Sequence, residues 1–277
     1  MLWLLLACTE APQDTQDSGV QALERVQDLD FLSQVVGDPG YQIVDVRSPE
    51  EFAAGHVPGA LNLYWEDLRG ETDGLTGMVA DSATVTAAAQ AGGLRTDAVP
   101  VVYGGRGGRD AGRFVWTLDH YGDDRALVVD GGWIAWDLEG LEQEAGAWSG
   151  DPGDWSAAGP VDRVLAESDW IRDNLDNPDV VVLDVRAPDE YAAGHIPGAL
   201  NVEWSENVDL DTGLWLPDSE LQALYADIDK DATVVVTCRS GARAGMGYVV
   251  LPHLGFSDVR LHDGSWKQWE AGDYPVE

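Results

Sequence analysis

Short, largely apolar runs rich in β-branched residues alternate along the chain with segments of helical periodicity. Continuous apolar runs of this length are typical of parallel strands buried on both faces. The pattern predicts strands over residues 41–46, 99–103, 126–129, 180–185, 233–237 and 259–261, and helices over 50–54, 111–120, 189–193 and 244–254. Strands that alternate with helices predict an α/β fold whose parallel sheets are covered by helices on both faces.

The chain contains an internal repeat that has the size of a whole domain. Residues 43–62 and 182–201 are identical at 14 of 20 positions at an offset of 139, and Asp130-Gly-Gly-Trp133 matches Asp263-Gly-Ser-Trp266 at an offset of 133. A repeat of this length is a domain, because solenoid units are much shorter. We therefore expect two similar domains, 28–145 and 160–277, joined by a Gly-, Pro-, Ser- and Asp-rich linker over 146–159.

The N-terminal residues stand apart from this pattern. Residues 1–7 are apolar and end in Leu5-Leu6-Ala7 before Cys8, which resembles a bacterial lipoprotein signal, and residues 8–27 are predicted to be a flexible tether. The resemblance implies cleavage before Cys8 and lipid attachment to its sulfur. We therefore expect a periplasm-facing protein of the bacterial cell envelope, held at the membrane through Cys8 alone. A cytoplasmic location is the alternative if the signal is not functional.

Composition narrows the class of function. With 50 Asp and Glu against 16 Lys and Arg, the formal charge is −34, which argues against a nucleic-acid-binding surface. High solubility and adaptation to a salty medium are both open explanations of this acidity. The only cysteines are Cys8 and Cys238, so the sequence excludes a disulfide framework and disfavours a cysteine-based zinc site. We expect no metal and no other cofactor.

The segment with the clearest chemistry follows the strand predicted at 233–237 and reads Cys238-Arg239-Ser240-Gly241-Ala242-Arg243. At a junction from strand to helix the backbone N–H groups of the turn converge, and the helix dipole adds positive potential. Gly241 allows a tight turn, and the two arginines add positive charge. This setting favours a thiolate, so we predict that Cys238 is a nucleophile. A buried, inert cysteine is the alternative, which the polar flanks disfavour.

These motifs, repeated in the same order, resemble the rhodanese (thiosulfate:cyanide sulfurtransferase) family over roughly residues 28–277. The matching motifs are Asp-Val-Arg, Gly-His-Ile/Val-Pro-Gly-Ala, Cys-Arg-Ser-Gly-Ala-Arg and Asp-Gly-Ser/Gly-Trp. The resemblance implies a central parallel five-stranded sheet in each domain, flanked by helices on both faces. It also implies that sulfur passes from a donor, through a persulfide on Cys238, to cyanide or a thiol. Arg239 favours thiosulfate over 3-mercaptopyruvate as that donor.

The expected substrate-binding residues surround the cysteine. They are Arg186, Arg239, Ser240, Gly241, Ala242 and Arg243. Backbone amides of residues 239–244 are expected to cradle the sulfur, and Arg243 to close the loop against a carboxylate. For Arg186, a structural salt bridge within the Asp-Val-Arg motif is an equally open interpretation. His56 and His195 are expected to stabilise turns and not to act as general bases.

The first domain lacks the nucleophile, because Gly105 aligns with Cys238 and Asp110 aligns with Arg243. We expect it to be inactive and to pack against the second domain. A cysteine phosphatase is disfavoured, since its loop has five residues between Cys and Arg where this chain has four. A non-enzymatic sulfide- or redox-sensing or protein-interaction module is the main alternative. We expect a monomer whose partners are the small-molecule sulfur donor and the acceptor.

Overall fold

The computed structural model describes residues 24–105 and 107–277. The predicted signal, Cys8 and most of the predicted tether lie outside the described residues. The end of that tether is ordered, because Val26–Gln27 form a strand that pairs in parallel with Leu127–Val129. Among the described residues, no helix is long and apolar enough to cross a bilayer.

The described elements form two halves of similar order. The first half contains β1 (Val26–Gln27), α1 (Leu29–Val35), β2 (Tyr41–Asp45), α2 (Pro49–Ala54), β3 (Leu61–Asn62), β4 (Arg69–Thr72), β5 (Leu75–Val79), α3 (Ser82–Ala91), β6 (Val99–Tyr103), α4 (Arg109–His120), β7 (Leu127–Val129) and α5 (Gly132–Leu138). The second half contains α6 (Ser168–Asp173), β8 (Val180–Asp184), α7 (Pro188–Ala192), β9 (Leu200–Asn201), α8 (Asp218–Leu224), β10 (Thr233–Thr237), α9 (Ala244–His253), β11 (Asp258–Leu261) and α10 (Ser265–Ala271).

Each half is built on a parallel sheet, as the sequence predicts. The first sheet has the order β1-β7-β6-β2-β3, which confirms five strands there. The second has the order β11-β10-β8-β9, so the expectation of a fifth strand is wrong for that half. A single bridge between Leu165 and Leu261 takes its place. A turn of 3-10 helix at Asp162–Val164 comes directly before Leu165.

The central strands β6 and β10 consist mainly of buried valines, because helices cover both faces of each sheet. Proline begins the helix after the first long strand in both halves, at Pro49 and Pro188, where its fixed φ suits a first helical turn and no N–H is needed. Both central strands therefore end at the same edge of their sheets, followed by a loop and a buried helix.

The two halves meet along α4 and α9. A Cβ atom added to Gly112 of α4 would overlap the backbone of Gly245 in α9, and one added to Gly245 would overlap the backbone of Arg113. The helices therefore cross in direct backbone contact. The predicted linker has no helix or strand, but it is anchored to the first half by Trp155, which is buried and donates its indole N–H to Asp123 at 2.9 Å.

Candidate active site

Cys238 is the first residue after β10, at the carboxyl edge of the second sheet. Its side chain is only 1% exposed. Parallel α/β sheets place their sites at this edge, because the loops that follow the strands meet there. The next two residues, Arg239 and Ser240, line an open cleft, whereas Cys238 itself does not line it.

A serine hydroxyl organises the loop around the sulfur. The backbone N–H groups of Cys238 and Gly241 both donate to Ser265 Oγ, at 3.2 and 2.9 Å. That oxygen lies 3.9 Å from the sulfur and 2.7 Å from the carbonyl of His262. These two amides therefore reach the sulfur through the hydroxyl, whereas the sequence led us to expect direct contact. With two bonds accepted, the hydroxyl keeps one proton, which can be donated to the carbonyl or to a thiolate.

Ser265 is held in a backbone conformation that glycine normally occupies. Its φ is +51°, and the equivalent residue of the first half, Gly132, has a φ of +50°. A non-glycine residue in this region costs on the order of 1–3 kcal/mol. The backbone strain at Ser265 is therefore offset by the two hydrogen bonds that its hydroxyl accepts from the loop. The sequence contains the signal for this residue, since Asp-Gly-Ser-Trp replaces Asp-Gly-Gly-Trp only in the half with the cysteine.

Arg243 closes the loop through a two-pronged ion pair with Glu190 of α7, at 2.5 and 2.9 Å. The pair lowers the pKa of Glu190 and raises that of Arg243, mainly through these hydrogen bonds. The carbonyl of Ala242 accepts the N–H of Gly245 at 3.2 Å, which starts the next helix. The loop is thus tied at its far end to the helix that follows β8.

The cleft beside the sulfur is formed by both halves and has a volume of about 600 Å³. Its charged lining residues are Arg69, Arg239, Lys267, Glu66 and Glu71. Arg69 donates to the carbonyl of Ser240 at 3.0 Å, and the Lys267 ammonium donates to the hydroxyl of Thr76 at 2.8 Å. Burial lowers the pKa of Arg69 from its usual value, as does the neighbouring Arg113. An acidic protein thus places three cations around one opening.

Arg69 and Lys267 were not found from the sequence, and local pattern offers little signal for them. Arg69 lies on the hairpin formed by β4 and β5, which extends from the first half over the loop of the second. The hairpin has one sequence signal, the Asp73-Gly74 pair at its turn, which is typical of tight β-turns. Nothing in the sequence shows which loop the hairpin covers.

Arg186 is buried and forms the salt bridge within the Asp-Val-Arg motif that a structural role requires. It is 2% exposed, pairs with Asp184 at 2.6 Å, donates to the carbonyl of Gly194 at 2.8 Å and lies over the Trp266 ring. Arg47 of the cysteine-less half makes the same set of contacts with Asp45, Gly55 and Trp133. Because this arrangement also forms where no nucleophile exists, it favours a structural role over donor binding.

The two histidines of the repeat have equivalent, local contacts. His56 stacks on Phe52 with ring centroids 3.7 Å apart, and its Nδ1 lies 2.9 Å from the Phe52 carbonyl. His195 has the same relation to Tyr191, at 3.7 and 3.0 Å. Both rings therefore hold the turn after a short helix, and nothing in these contacts links them to the sulfur.

The loop of the first half is aligned differently from the sequence-based alignment. Strands β6 and β10 are equivalent at an offset of 134, since Asp45 pairs with Tyr103 as Asp184 pairs with Thr237. Gly104 and not Gly105 therefore takes the position of Cys238, and that assignment is corrected here. The following helices keep the offset of 133, both ending at a histidine. The inactive loop is thus one residue longer, and the extra residue lies among its glycines.

The carboxylate of Asp110 fills the inactive loop. It accepts the N–H of Gly105 at 2.9 Å and its own neighbour's N–H, that of Ala111, at 3.0 Å. A Cβ atom built on Gly104 would overlap this carboxylate. The space that a nucleophile would need in the first half is therefore already occupied.

Comparison with known proteins agrees with this architecture. The rhodanese-like domain family model matches residues 28–139 and 167–272. A thiosulfate sulfurtransferase of Pseudomonas aeruginosa is 32% identical over 89% of this chain and 94% of its own length. A 3-mercaptopyruvate sulfurtransferase of Escherichia coli K12 is 30% identical over 90% and 96%. The crystal structure of SseA from Escherichia coli matches with a TM-score of 0.79 at 28% identity, covering 88% of this chain and 99% of that one.

Two α/β domains, with one cysteine loop at the carboxyl edge of the second sheet, define a protein of the sulfur-transferring class. The chain belongs to the rhodanese family, whose model covers most of both halves. It is a sulfurtransferase, since relatives of that activity match it at about 30% identity over nearly its whole length. This result decides against the non-enzymatic alternative.

Proposed function

We propose that the protein transfers the outer sulfur of thiosulfate, through a persulfide on Cys238, to a thiophilic acceptor such as cyanide or a thiol. The observation that carries the proposal is the cleft above Cys238, where Arg69, Arg239 and Lys267 gather in a chain of charge −34. A small dianion is attracted to such a group of cations and repelled by the rest of the surface.

The proposed reaction has two steps. In the first, the Cys238 thiolate attacks the outer sulfur of thiosulfate, a new S–S bond forms, and the bond between the two donor sulfurs breaks with its electron pair leaving on sulfite. In the second, the acceptor anion attacks the outer persulfide sulfur, which releases thiocyanate or a new persulfide and restores the thiolate. Sulfur is transferred without a net oxidant or reductant. The Ser265 hydroxyl, 3.9 Å from the cysteine sulfur, supports the anion present at the start and end of the cycle.

Access to the sulfur requires a small movement, because Cys238 is 1% exposed while Arg239 and Ser240 line the cleft. Besides the backbone bond from Val79 to Asp263, two side-chain contacts hold the hairpin beside the cleft: Arg69 bonds the Ser240 carbonyl, and Lys267 bonds Thr76. Both contacts are partly or fully exposed to water, so they cost little to break. We propose that the donor replaces them with contacts to its own oxygens.

Mass spectrometry of the intact protein after incubation with thiosulfate tests the mechanism. A gain of about 32 Da, removed by cyanide and absent from Cys238→Ser, is the expected result, the figure being the mass of one sulfur atom bound as a persulfide. Because Cys8 is the only other cysteine in the sequence, Cys8→Ser is the matched control and should keep the gain. Loss of the adduct in Cys8→Ser, or its persistence in Cys238→Ser, would contradict the proposal.

The preference for thiosulfate over 3-mercaptopyruvate is proposed from Arg239, whose side chain lines the cleft. Relatives of both names match the chain at similar identity, so they do not rank the donors. Steady-state kinetics with both donors is the test. We expect a higher kcat/KM for thiosulfate and a loss of about tenfold in Arg239→Ala, on the order of one charge-assisted hydrogen bond. Lys230→Ala is the control, because Lys230 bonds the Leu254 carbonyl at the opposite end of β10 from the cleft.

We also propose, from the sequence alone, that Cys8 carries a lipid that holds the protein in the cell envelope. Support comes from the apolar residues before Cys8 and the polar stretch after it. Metabolic labelling with a radioactive fatty acid, followed by membrane fractionation, tests this. Label and membrane association should both disappear in Cys8→Ser, and an unlabelled wild-type protein would disprove the anchor.

A further inference from the structure

Arg113 is a buried cation that the first half inserts beneath the catalytic loop of the second. It lies on α4, is 1% exposed, and pairs with Asp263 of the other half at 2.5 Å through Nη2. Its Nε and Nη1 have no hydrogen-bond partner within residues 24–105 and 107–277. Buried donors of this kind are rare, because each unmade bond costs free energy.

The unpartnered face of this guanidinium lies against the loop. A Cβ atom built on Gly241 would overlap Nη1 of Arg113, so the guanidinium is packed directly below the residue three positions after Cys238. The N–H of Gly241 points instead to Ser265 Oγ, the hydroxyl that also bonds the amide of Cys238. Gly241 is therefore needed for two reasons: its φ is +78°, and a side chain would displace the cation.

The counter-ion of Arg113 belongs to the same turn as that hydroxyl. Asp263 precedes Ser265 by two residues, and its second oxygen accepts the N–H of Val79 from the hairpin at 2.9 Å. Arg113 and Val79 thus hold Asp263 from the first half, while Ser265 holds the loop from the second. The pairing fixes the hydroxyl against the loop amides across the boundary between the halves.

The repeat offers an internal comparison. At the offset of 133 that relates the two helices, the residue equivalent to Arg113 is Met246 of α9, which is fully buried. The half without a cysteine therefore contributes a cation to the interface, and the half with the cysteine contributes a neutral thioether. A positive charge on the Arg113 side of the interface favours the thiolate form of a cysteine in the second half.

We propose that Arg113 is a positioning residue for sulfur transfer, supplied by the cysteine-less half, that holds the Ser265 turn and places a buried positive charge beneath the loop of Cys238. The inference rests on the proposed persulfide mechanism. It gives the inactive half a part in catalysis that does not depend on contact with the donor.

The loop is surrounded by several charged groups, and any test must separate Arg113 from them. They are Arg69 and Glu71 from the hairpin, Glu66 just before it, Asp263 from the turn before α10, Lys267 from α10, Arg239 and Arg243 within the loop, and Glu190 from α7. Two substitutions in the Arg113–Asp263 ion pair separate its effect from the others, because one removes a positive charge and the other a negative charge. Arg113→Met removes the cation, whereas Asp263→Asn removes the anion and keeps one acceptor oxygen, so it can retain only one of the two bonds donated by Arg113 and Val79.

The measurement is the pH midpoint for alkylation of Cys238 by iodoacetamide, together with kcat and KM for thiosulfate. Arg113→Met should raise the midpoint by about half a pH unit or more, and lower kcat roughly tenfold with KM within about twofold. Asp263→Asn should shift the midpoint in the opposite direction. Arg113→Lys should restore most of the wild-type midpoint. Arg25→Met, which breaks a different ion pair of α4 with Asp119, should leave the midpoint unchanged.

A purely structural role would loosen the loop in both variants, so the two midpoints would move in the same direction; that result overturns the inference. So does a folded Arg113→Met protein with a wild-type midpoint and kcat. If Arg113→Met does not fold, Asp263→Asn and Arg113→Lys decide in its place. Failure of the persulfide mechanism is distinguishable, because wild-type protein would then show no mass gain on Cys238 with thiosulfate.

Discussion

The loop after β10 and the loop after β6 occupy equivalent places in the two halves and satisfy their backbone amides in different ways. In the second half, a hydroxyl from a neighbouring turn accepts the N–H groups of Cys238 and Gly241 and leaves the sulfur beside them. In the first half, Asp110 bends back and accepts the N–H of Gly105. In the second half the loop amides are thus satisfied by a hydroxyl beside the cysteine sulfur. In the first half the Asp110 carboxylate occupies the loop and accepts an amide itself.

The comparison also shows how an inactive copy can retain a function. Burial raises the pKa of Asp110, although its amide bonds act in the opposite direction, and its carboxylate fills the loop. The residues of the first half that bond the loop of Cys238 or the turn beside it lie elsewhere, on the hairpin and on α4, at Arg69, Val79 and Arg113. The first half thus has no cysteine in its own loop and still contacts the loop of the other half.

Moving the cysteine to the inactive loop is the strongest test of this comparison. The double variant Gly104→Cys, Cys238→Ser should have less than about one thousandth of wild-type kcat/KM, the order of loss seen when a nucleophile is removed. A side chain at residue 104 overlaps the Asp110 carboxylate, and Gly132 offers no hydroxyl. Steady-state thiosulfate kinetics measures the effect, with Cys238→Ser alone as the reference. Activity clearly above that reference would mean that the inactive loop is still a working cradle.

The paired arginines Arg47 and Arg186 allow a test in which each half is the control for the other. Substitution of either by Met should lower the free energy of unfolding by about 3–5 kcal/mol, because Asp45 or Asp184 is left buried without its partner. Urea denaturation measures this, and KM for thiosulfate in the folded enzyme should be similar for both. A KM raised only in Arg186→Met would restore the donor-binding interpretation.

Ser265 is the residue whose replacement makes the active loop most like the inactive one. Ser265→Gly and Ser265→Ala should each lower kcat by about 10- to 100-fold, the order expected for loss of a hydrogen bond to a charged group. The glycine variant should be more stable than the alanine variant by about 1 kcal/mol, because φ is +51°. Equal stability of the two would argue against backbone strain, and unchanged kcat would remove the hydroxyl from the mechanism.

The smallest expected effect concerns His262, whose counterpart in the first half is Val129. Burial lowers the pKa of His262 from 6.5 to about 4. The unfolded chain then binds the proton first, so stability is full above pH 6.5 and decreases as the pH falls toward 4. The loss by pH 5 is about 2 kcal/mol. Urea denaturation at several pH values gives the free energy of unfolding as a function of pH, and this free energy should depend less on pH in His262→Val than in the wild type. Parallel curves for the two proteins would assign the pH dependence to other groups.

The sequence was sufficient for the central strands and for the cysteine loop, and physical reasons explain why. Strands β6 and β10 have the predicted bounds to the residue, since each is a short, valine-rich apolar run followed directly by a loop that contains Gly and Arg. The loop itself combines Cys238 with charged neighbours that a buried helix would not tolerate. Both features are local, so they can be identified without knowledge of the fold.

Features that depend on contacts across the molecule were not predictable in this way. Arg69 and Arg113 are single residues of ordinary type, and only the packing of one half on the other brings them to the loop. The assignment of Gly105 to the cysteine position failed because a run of glycines hides where the extra residue lies. The fifth strand of the second sheet is implied by the family resemblance alone, and a single bridge at Leu165 stands in its place.

The crossing of α4 and α9 at Gly112 and Gly245 has a consequence for how the enzyme opens. Because the two backbones are in contact there, and the buried Arg113–Asp263 and Tyr248–Asp119 bonds also join the halves, a hinge motion between the halves would have to break all of these contacts. Rigid-body opening of the halves is therefore the costly route to the sulfur. The β4–β5 hairpin is attached at its base through Arg69 and Val79 and, among the described residues, nearer its turn only by the exposed Lys267–Thr76 bond. Its turn is therefore the part that can swing aside, so turnover should be sensitive to viscosity and to substitutions in the hairpin while the interface stays closed.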